Sequence, residues 1–402
     1  MDKLEILKKY YGYDKLKKEQ SLIVDSVLEN KDIIGLLPTG YGKSITFQIP
    51  ALLLDGITIV ITPLIALMED QVSSLKKKCI AAEYINSLQD KEEQDRVLRN
   101  LSRGNIKILY VAAERLESSR FLDIVLKLDI SLVVADEAHT LLWSEDFRKS
   151  LGHIPNFIKK LNKRPKMMAL TATATNHTID KIIQLLDLIN PKIVVCDCDR
   201  KNIFYLVKQS KNKDKDLLKY LDKNERGIIY CLTIKNVLHV YEYLNQLGYS
   251  VTYYYGSLDS KEKKKNQELY SKFEKRIMIS TNAFGMGIDI PDIRYVILYD
   301  MPQSIEDYSQ QTGRASRDGK FAMSILLFNI KDIEKNRYFI DNIDENTKDV
   351  KRIKRDRYHM LDEMISLCIG SKCIHQKVVN YFGLPHKGKC NMCSNCVKKR
   401  GS

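Results

Sequence analysis

Two stretches of the sequence combine residue types that bind phosphate and metal ions. The first, LPTGYGKS over 37–44, lies between an apolar DIIGLL segment and the helical run ITFQIPALLL. Gly40 and Gly42 allow backbone N–H groups to converge, and a helix N-terminus favours an anion, so we predict a phosphate loop between a strand and a helix. Lys43 is expected to pair with the β- and γ-phosphates of a nucleotide, and the Ser44 hydroxyl to bind Mg²⁺.

The second stretch, ADEAH over 135–139, closes an apolar strand pattern. Its acids therefore emerge at the carboxyl end of a strand, where open α/β sheets place ligands. Asp136 is expected to hold Mg²⁺ through water, and Glu137 to polarise the attacking water. Alone, such an acid pair could cap the next helix at the surface. With LPTGYGKS upstream, the pair predicts nucleotide hydrolysis.

A third stretch, QQTGRASRDG over 310–319, supplies two arginines three residues apart. Arg314 and Arg317 could form a solvated turn, but a cleft between two sheets gives them a catalytic interpretation. If one sheet carries the phosphate loop and the other the arginines, Arg317 is the candidate arginine finger that stabilises charge on the transferred phosphate.

Five of the nine cysteines fall in the last 35 residues. Four of them have the spacing C-x16-C-x2-C-x2-C, which suits a tetrahedral four-thiolate zinc site. These are Cys373, Cys390, Cys393 and Cys396. Cys368, His375 and His386 remain spare candidate ligands. A disulfide pair with loose thiols is the alternative, and it conflicts with the scattered thiols elsewhere, which favour a reducing intracellular environment.

The composition is that of a globular protein with a polyanionic partner. Hydrophobic residues make up 44% and charged residues 29%, and the net charge is +14. No charged segment followed by an apolar core opens the chain, so we predict no secretory signal. The apolar run 49–68 is divided by Pro50, Asp55, Gly56 and Pro63, so we expect no membrane span there.

The elements that must position these residues alternate between strands and helices, which predicts an α/β fold with parallel sheets covered on both faces. Besides the strand before the phosphate loop, apolar runs predict strands at 57–62, 106–111, 131–136, 167–172, 227–231, 276–281, 295–300 and 323–328. Their grouping indicates two sheets, separated by a polar connector over 197–202. Beyond Lys331 the pattern becomes helical and basic.

Taken together, these motifs resemble RecQ-type DNA helicases of superfamily 2. The resemblance is carried in order by YGYDKLKKEQ, LPTGYGKS, ITPLIALMEDQV, ADEAH, ALTATAT, GIIYCLT, STNAFGMGIDIPDIRYVILYDMP and QQTGRASRDG. It implies two RecA-like lobes, expected at 1–198 and 199–330, and a small helical zinc-binding module at 331–402. The implied activity is ATP-driven 3′–5′ translocation on single-stranded DNA with duplex unwinding, in DNA repair or recombination.

The resemblance also implies residues for the nucleotide. Gln20 matches the glutamine that reads adenine and Tyr13 the aromatic that stacks on it, while Lys17 stands where the family has arginine. Asp289 resembles an acid near the ribose, and the family's second glycine in the arginine motif is Ser316. The full set of expected ATP contacts is Tyr13, Lys17, Gln20, Thr39, Gly40, Gly42, Lys43, Ser44, Asp289 and Gln310.

DNA in such motors is gripped at phosphates and stacked on aromatic side chains. The segments matching the family's DNA track give Thr62, Pro63, Asn282, Trp143, Phe147 and Arg148 as DNA-contacting candidates. A lone tryptophan is commonly a core anchor, but polar neighbours of Trp143 favour an exposed loop. This loop departs from the family in length and at Leu142 and Glu145.

RecQ proteins usually continue into a winged helix and an HRDC module, so we expect a short form lacking both, either natural or truncated. The expected partners are single-stranded and forked DNA, with no membrane, in the nucleus of a eukaryote or the cytoplasm and nucleoid of a bacterium. A monomer is compatible with the sequence, which leaves the oligomeric state open. The alternatives are an RNA helicase of the same superfamily, and a DNA-binding or annealing protein with weak unwinding.

Overall fold

The computed structural model describes residues 1–38, 40–62, 65–138, 145–172, 175–197, 199–284, 290–345, 347, 349–386 and 388–398, without the side chains of 65–67, 145–152, 176 and 398. The chain forms two compact units, residues 1–197 and residues 198–402. Among the described helices, none is both long and apolar enough to cross a membrane.

The first unit contains a seven-stranded sheet in the order β3-β4-β2-β5-β6-β1-β7, and all its pairings are parallel. Its strands are β1 (Ile33–Leu36), β2 (Ile57–Ile61), β3 (Ala82–Ile85), β4 (Ile108–Val111), β5 (Ile130–Ala135), β6 (Lys166–Thr171) and β7 (Lys192–Val195). Its helices are α1 (Lys3–Tyr11), α2 (Lys18–Leu28), α3 (Ile45–Leu53), α4 (Ile65–Lys77), α5 (Lys91–Ser102), α6 (Ser119–Val125), α7 (Glu145–Lys160) and α8 (Asn176–Leu185), with a 3₁₀ helix at Ala113–Glu117.

The second unit contains a six-stranded parallel sheet in the order β10-β11-β9-β12-β13-β8. Its strands are β8 (Ile203–Gln209), β9 (Arg226–Tyr230), β10 (Val251–Tyr254), β11 (Ile277–Ser280), β12 (Ile293–Leu298) and β13 (Ala322–Phe328). Its helices are α9 (Lys213–Leu217), α10 (Ile234–Gln246), α11 (Ser260–Ser271), α12 (Ile305–Thr312), α13 (Lys331–Asp341), α14 (Val350–Ile369), α15 (Ile374–Tyr381) and α16 (Ser394–Lys398), with a 3₁₀ helix at Leu218–Tyr220.

Each sheet is buried on both faces, as the continuous apolar runs predict. In β2, Ile59 and Ile61 pack into one cluster and Val60 into the cluster on the opposite face, because successive side chains of a strand alternate. The predicted fold, with two parallel-sheet lobes of the RecA-like type and a helical C-terminal region, is confirmed.

The C-terminal helices do not form a separate compact unit. Met364, Leu367 and Val378 share one apolar cluster with Tyr205 and Val296 of the second sheet. Cys393 also forms a parallel β-bridge with Tyr205. The boundary drawn at 330 stays a prediction, because the core of the second unit continues across it.

Candidate functional site

The phosphate loop lies at the carboxyl end of β1, in the centre of the first sheet. Gly40 and Gly42 have φ values of +80° and +90°, and Ser44 is the N-cap of α3. Left-handed backbone of this kind favours glycine, which explains both glycines of the motif. The backbone and the helix start needed to hold an anion are therefore both present. Thr39 lies outside the described residues.

Lys43 meets the acids of the ADEAH motif at this edge of the sheet. The Lys43 Nζ lies 2.5 Å from Glu137 Oε1, and both side chains are about 15% exposed, at 14% and 16% respectively. The Asp136 N–H donates to Ile61 O at 2.9 Å, which fixes the end of β5 against β2. The structure thus brings together the ammonium and the two carboxylates that the sequence predicted to act on one nucleotide.

The carboxyl of Asp136 is electrostatically unusual. Burial raises its pKa to about 6, and the neighbouring Glu137 adds to this rise while Lys43 opposes it. Asp136 Oδ1 accepts the N–H of Glu137 at 2.9 Å. A buried carboxylate close to its pKa gains free energy when it binds a cation, so this group suits a magnesium ion.

The residues predicted for adenine lie beside the phosphate loop. Gln20 Nε2 donates to Tyr41 O at 2.8 Å and to Gly42 O at 3.3 Å. Lys17 Nζ lies 4.2 Å from the centroid of the Tyr41 ring, and Tyr13 is 59% exposed. Gln20 and Lys17 are thereby attached to the loop, whereas the Tyr13 ring is open to solvent. Their contacts with adenine stay predictions.

Sequence reasoning missed Tyr41 as a member of this site. Its hydroxyl donates to Glu19, and the ammonium of Lys17 lies over its ring. Burial, and then the hydrogen bond to Glu19, raise the pKa of Tyr41 above its ordinary range, so the phenol stays protonated as a donor. The sequence indicated this role only through the position of Tyr41 inside LPTGYGKS, between Gly40 and Gly42.

The arginine motif follows α12 in the second unit. Arg314 is 6% exposed, and Arg317 is half-buried. Both lie close to Tyr230 at the end of β9: burial raises the pKa of this phenol, and the two arginines oppose that rise. Gln310 is half-buried on α12, and Asp289 lies outside the described residues. The structure therefore gathers both arginines at the carboxyl edge of the second sheet.

The structure places the described DNA-contacting candidates in different environments. Asn282 is exposed, accepts from Gln311 and donates to Asp307 at 3.3 Å. It lines a cavity of about 300 Å³ at the carboxyl ends of β9, β11 and β12, where α/β sheets bind ligands. Thr62 is fully buried at the end of β2, which does not match a surface contact with DNA.

The remaining candidates lie wholly or partly outside the described residues. Pro63 and Trp143 lie outside the described residues, as do the side chains of Phe147 and Arg148, whose backbone belongs to α7. Their DNA contacts stay predictions.

The four predicted cysteines form one cluster. The Sγ atoms of Cys373, Cys390, Cys393 and Cys396 all lie within 4.8 Å of one another. The Cys390–Cys396 and Cys373–Cys393 separations are 3.8 Å and 3.9 Å. A tetrahedral site with Zn–S bonds of about 2.3 Å requires S···S distances of about 3.8 Å. The thiol geometry therefore fits zinc.

The spare ligands proposed from the sequence have other partners. His375 bonds to Asp199 through Nδ1 and to Met392 O through Nε2 at 3.2 Å, and His386 Nε2 lies 3.6 Å from Asp199. Backbone N–H groups of Gln376 and Met392 point at cluster sulfurs, at 3.5 and 3.3 Å, as donors that stabilise thiolates. The four-cysteine set is the one that the fold assembles.

Two parallel-sheet lobes, a phosphate loop facing an acid pair and a basic arginine loop define a nucleotide-dependent helicase. Family models agree with this class: DEAD/DEAH box helicase matches residues 17–182, helicase conserved C-terminal domain 212–319, and RecQ zinc-binding 330–397. The helicase MrfA, solved bound to DNA, shares the fold with a TM-score of 0.71 at 17% identity, over 92% of this chain and 57% of that one.

Similar proteins narrow the class to a family. The chain is 37% identical to ATP-dependent DNA helicase RecQ of Bacillus subtilis, over 99% of this chain and 67% of that protein. It is 32% identical to RecQ of Pasteurella multocida, over 98% of this chain and 62% of that protein. A putative ATP-dependent RNA helicase of Acanthamoeba polyphaga mimivirus is 34% identical, over 98% of this chain and 71% of that protein. The chain belongs to the RecQ family of ATP-dependent DNA helicases, and it spans about two thirds of the length of the RecQ proteins it matches.

Proposed function

We propose that this chain is a DNA-stimulated ATPase that moves 3′ to 5′ along single-stranded DNA and separates duplexes, in DNA repair or recombination. The observation that carries the proposal is the cluster of Lys43, Asp136 and Glu137 at the carboxyl edge of the first sheet. Phosphoryl transfer depends mainly on positioning and on charge stabilisation, and these side chains supply both.

Each side chain has a distinct task in the proposed mechanism. Lys43 leaves its ion pair with Glu137 to bind the β- and γ-phosphates, which frees the Glu137 carboxylate to accept a hydrogen bond from the attacking water. Ser44 and Asp136 would hold a magnesium ion, which would supply positive charge at the phosphate oxygens. Arg317, assisted by Arg314, stabilises the charge that develops on the transferred phosphoryl group.

Recognition of the remaining parts of the ligands rests on the family resemblance. Gln20, Lys17 and Tyr13 bind adenine, and Asp289 and Gln310 complete the nucleotide site. On DNA, Asn282 and the segment carrying Trp143 contact the strand. A base stacked on an aromatic ring contributes about 1–3 kcal/mol. The four cysteines hold one zinc ion that stabilises the C-terminal helices.

The ATPase assignment is tested with Lys43→Ala. We expect folded protein that binds single-stranded DNA but has lost ATP turnover, because the phosphate-binding ammonium is gone. Lys31→Ala is the matched control, since Lys31 also forms an ion pair, 2.7 Å from Glu29, but both side chains are more than half exposed, at 51% and 57%. Turnover of Lys43→Ala at the wild-type rate would refute the assignment.

Motor direction is tested by strand separation on duplexes with a 3′ or a 5′ single-stranded tail. We expect ATP-dependent unwinding of the 3′-tailed duplex alone. DNA-stimulated hydrolysis without unwinding of either duplex would support the alternative of a DNA-binding or annealing protein. Stimulation of the ATPase by RNA in preference to DNA would support the RNA helicase alternative, which the similarity to the mimivirus protein motivates.

The DNA-sensing role of Trp143 is tested with Trp143→Ala. We expect basal ATPase at the wild-type rate and much weaker stimulation by single-stranded DNA, because one stacking platform is lost. Tyr338→Ala removes an aromatic side chain that is 64% exposed on α13 and serves as the control. Equal stimulation of Trp143→Ala and wild type would exclude the sensing role.

A further inference from the structure

Residues 199–202, near the start of the second unit, form hydrogen bonds with the arginine motif. In the sequence they form only a polar connector. In the structure, Arg200 Nη1 donates to Gly313 O at 3.0 Å, and Nη2 donates to Ala315 O and Ser316 O, both at 2.8 Å. One partly buried guanidinium thus binds the backbone carbonyls on both sides of Arg314 and immediately before Arg317.

Asn202 fixes the other end of the same loop. Its Nδ2 donates to Ser316 O at 3.1 Å and to Lys320 O at 3.0 Å. Ser316 is fully buried with φ at +46°, and its hydroxyl donates to Lys320 O. The side chains of Arg200 and Asn202 therefore hold four carbonyl groups of this loop, including that of the left-handed Ser316, although more than 110 residues separate the two segments along the chain.

The connector is anchored on its opposite side to the cysteine cluster. Asp199 bonds to His375 Nδ1, and His375 is 1% exposed. The His375 ring packs 4.5 Å from the ring of Tyr205, and its Nε2 contacts the carbonyl of Met392, between two of the clustered cysteines. Arg200 therefore projects from a segment with little freedom to move.

We propose that Arg200 is a positioning residue for the arginine motif, and that it sets the place of Arg317 by gripping the carbonyls of Gly313, Ala315 and Ser316. The proposal rests on the proposed function, in which Arg317 acts on the transferred phosphate. A planar guanidinium presents five donors in a fixed geometry, so it can bind several carbonyls at once, which an ammonium cannot. A displacement of about 1 Å of a catalytic group can cost on the order of 100-fold in rate.

The electrostatics agree with this geometry. Burial lowers the pKa of the Arg200 guanidinium, and the positive charge of Arg317 lowers it further while Tyr205 opposes both. The guanidinium groups of Arg200 and Arg317 are therefore close enough to influence each other electrostatically. The loop carbonyls take the place of a carboxylate partner for Arg200.

The test compares Arg200→Ala and Arg200→Lys in DNA-stimulated ATP hydrolysis by the full chain. We expect kcat to fall about 10- to 100-fold in Arg200→Ala, with KM for ATP and the affinity for single-stranded DNA within about threefold of wild type. Arg200→Lys restores part of kcat, since one ammonium reaches fewer carbonyls. Asn202→Ala removes a single donor group and should give a smaller fall in kcat. This second variant keeps the proposal testable if Arg200→Ala fails to fold.

Arg226→Ala is the matched control. Arg226 is a buried arginine of the same unit, and its partners, Tyr270 O at 3.1 Å, Ser271 O at 3.4 Å and the Asp292 carboxylate at 3.4 Å, lie outside the arginine motif itself. Its loss should lower the melting temperature and leave kcat per folded molecule unchanged. Equal effects of Arg200→Ala and Arg226→Ala on kcat and on melting would overturn the positioning role in favour of a structural one.

A double variant separates this proposal from the proposed function. If Arg200 acts through Arg317, Arg200→Ala lowers kcat in wild type but not in an Arg317→Ala background. Independent, multiplying losses in the double variant, or wild-type kcat in both Arg200→Ala and Asn202→Ala, would overturn the positioning role. Wild-type turnover in Arg317→Ala would instead refute the arginine-finger assignment, and absence of DNA-stimulated hydrolysis in wild type would refute the ATPase itself.

Discussion

Glu137 contributes to the site through both its backbone conformation and its carboxylate. It has a φ of +50°, a conformation that costs a non-glycine residue about 1–2 kcal/mol. The strain turns the chain at the end of β5, and the Glu137 carboxylate reaches Lys43 on the phosphate loop. Backbone strain of this kind collects at functional sites, where the surrounding structure enforces it. Glu137 thus forms an ion pair with Lys43, a contact that its predicted part in water activation did not include.

Asp136→Asn tests the electrostatics of the acid pair. The pKa of Asp136 is raised to about 6 from an ordinary value near 3.8, so the folded state binds more protons than the unfolded state between pH 4 and 6. Stability contributed by this group therefore falls as pH rises through that window and stays low above it. We expect Asp136→Asn to abolish ATP turnover and to raise the free energy of unfolding at pH 7.5 by about 1–3 kcal/mol.

Urea denaturation at several pH values measures this effect. The stability difference between Asp136→Asn and wild type should disappear below pH 4, where the wild-type carboxyl is protonated in both states. A variant less stable than wild type at pH 7.5 would contradict the raised pKa of Asp136.

At the scale of elements, the phosphate loop acts together with α2. An ideal Cβ at Gly42 would lie 2.6 Å from Gln20 Nε2, the donor that binds Tyr41 O and Gly42 O. A side chain at this position therefore displaces Gln20 from the loop. The φ of +90° favours glycine here, and a Cβ would in addition displace the end of the Gln20 side chain.

Gly42→Ala separates these two requirements when it is compared with Gly12→Ala. Gly12 also has a positive φ, +73°, but a Cβ there meets nothing within 4 Å. Both variants should lose about 1 kcal/mol of stability from the backbone. Only Gly42→Ala should raise KM for ATP, by roughly five- to tenfold, the equivalent of one lost hydrogen bond. Equal KM values in steady-state ATPase assays would show that the contact with Gln20 is unimportant.

At the scale of the whole molecule, the second unit combines a catalytic loop and a cysteine cluster in one core. Cys393 and Cys396 are 0% and 3% exposed and lie in the same apolar cluster as Tyr205, Met364 and Val378. A zinc ion held by the four sulfur atoms would tie together segments of the chain that belong to this core. The cluster therefore connects metal binding to the folding of the unit as a whole.

Removal of zinc should accordingly unfold more than the C-terminal helices. We expect about one zinc per chain, and a fall in melting temperature on the order of 10 °C or more after chelation or in Cys393→Ser, because structural zinc contributes about 10–16 kcal/mol of apparent binding energy. Cys79→Ser, at an exposed cysteine, is the control and should retain both zinc and stability. Metal analysis that finds folded protein without zinc would exclude the site.

The strands show where prediction from sequence succeeds and where it fails. All nine strands predicted from apolar runs lie in the interior of the two sheets, where burial on both faces produces such runs. The four missed strands, β3, β7, β8 and β10, are the four edge strands. An edge strand has fewer neighbours and is partly exposed, as the alternating exposure of β7 and β8 shows, so its sequence carries polar residues that interrupt the pattern.

The amino-acid sequence by itself determined the phosphate loop, the acid pair, the arginine motif and the set of four cysteines, because each is local and its chemistry depends on residue type and short spacing. Only the tertiary structure decided which distant groups meet. Lys43 and Glu137 are 94 residues apart, and Arg200 and Gly313 are 113 apart. Such contacts depend on strand order and on burial, which also places Thr62 in the core, and neither property can be read from any short stretch of the chain.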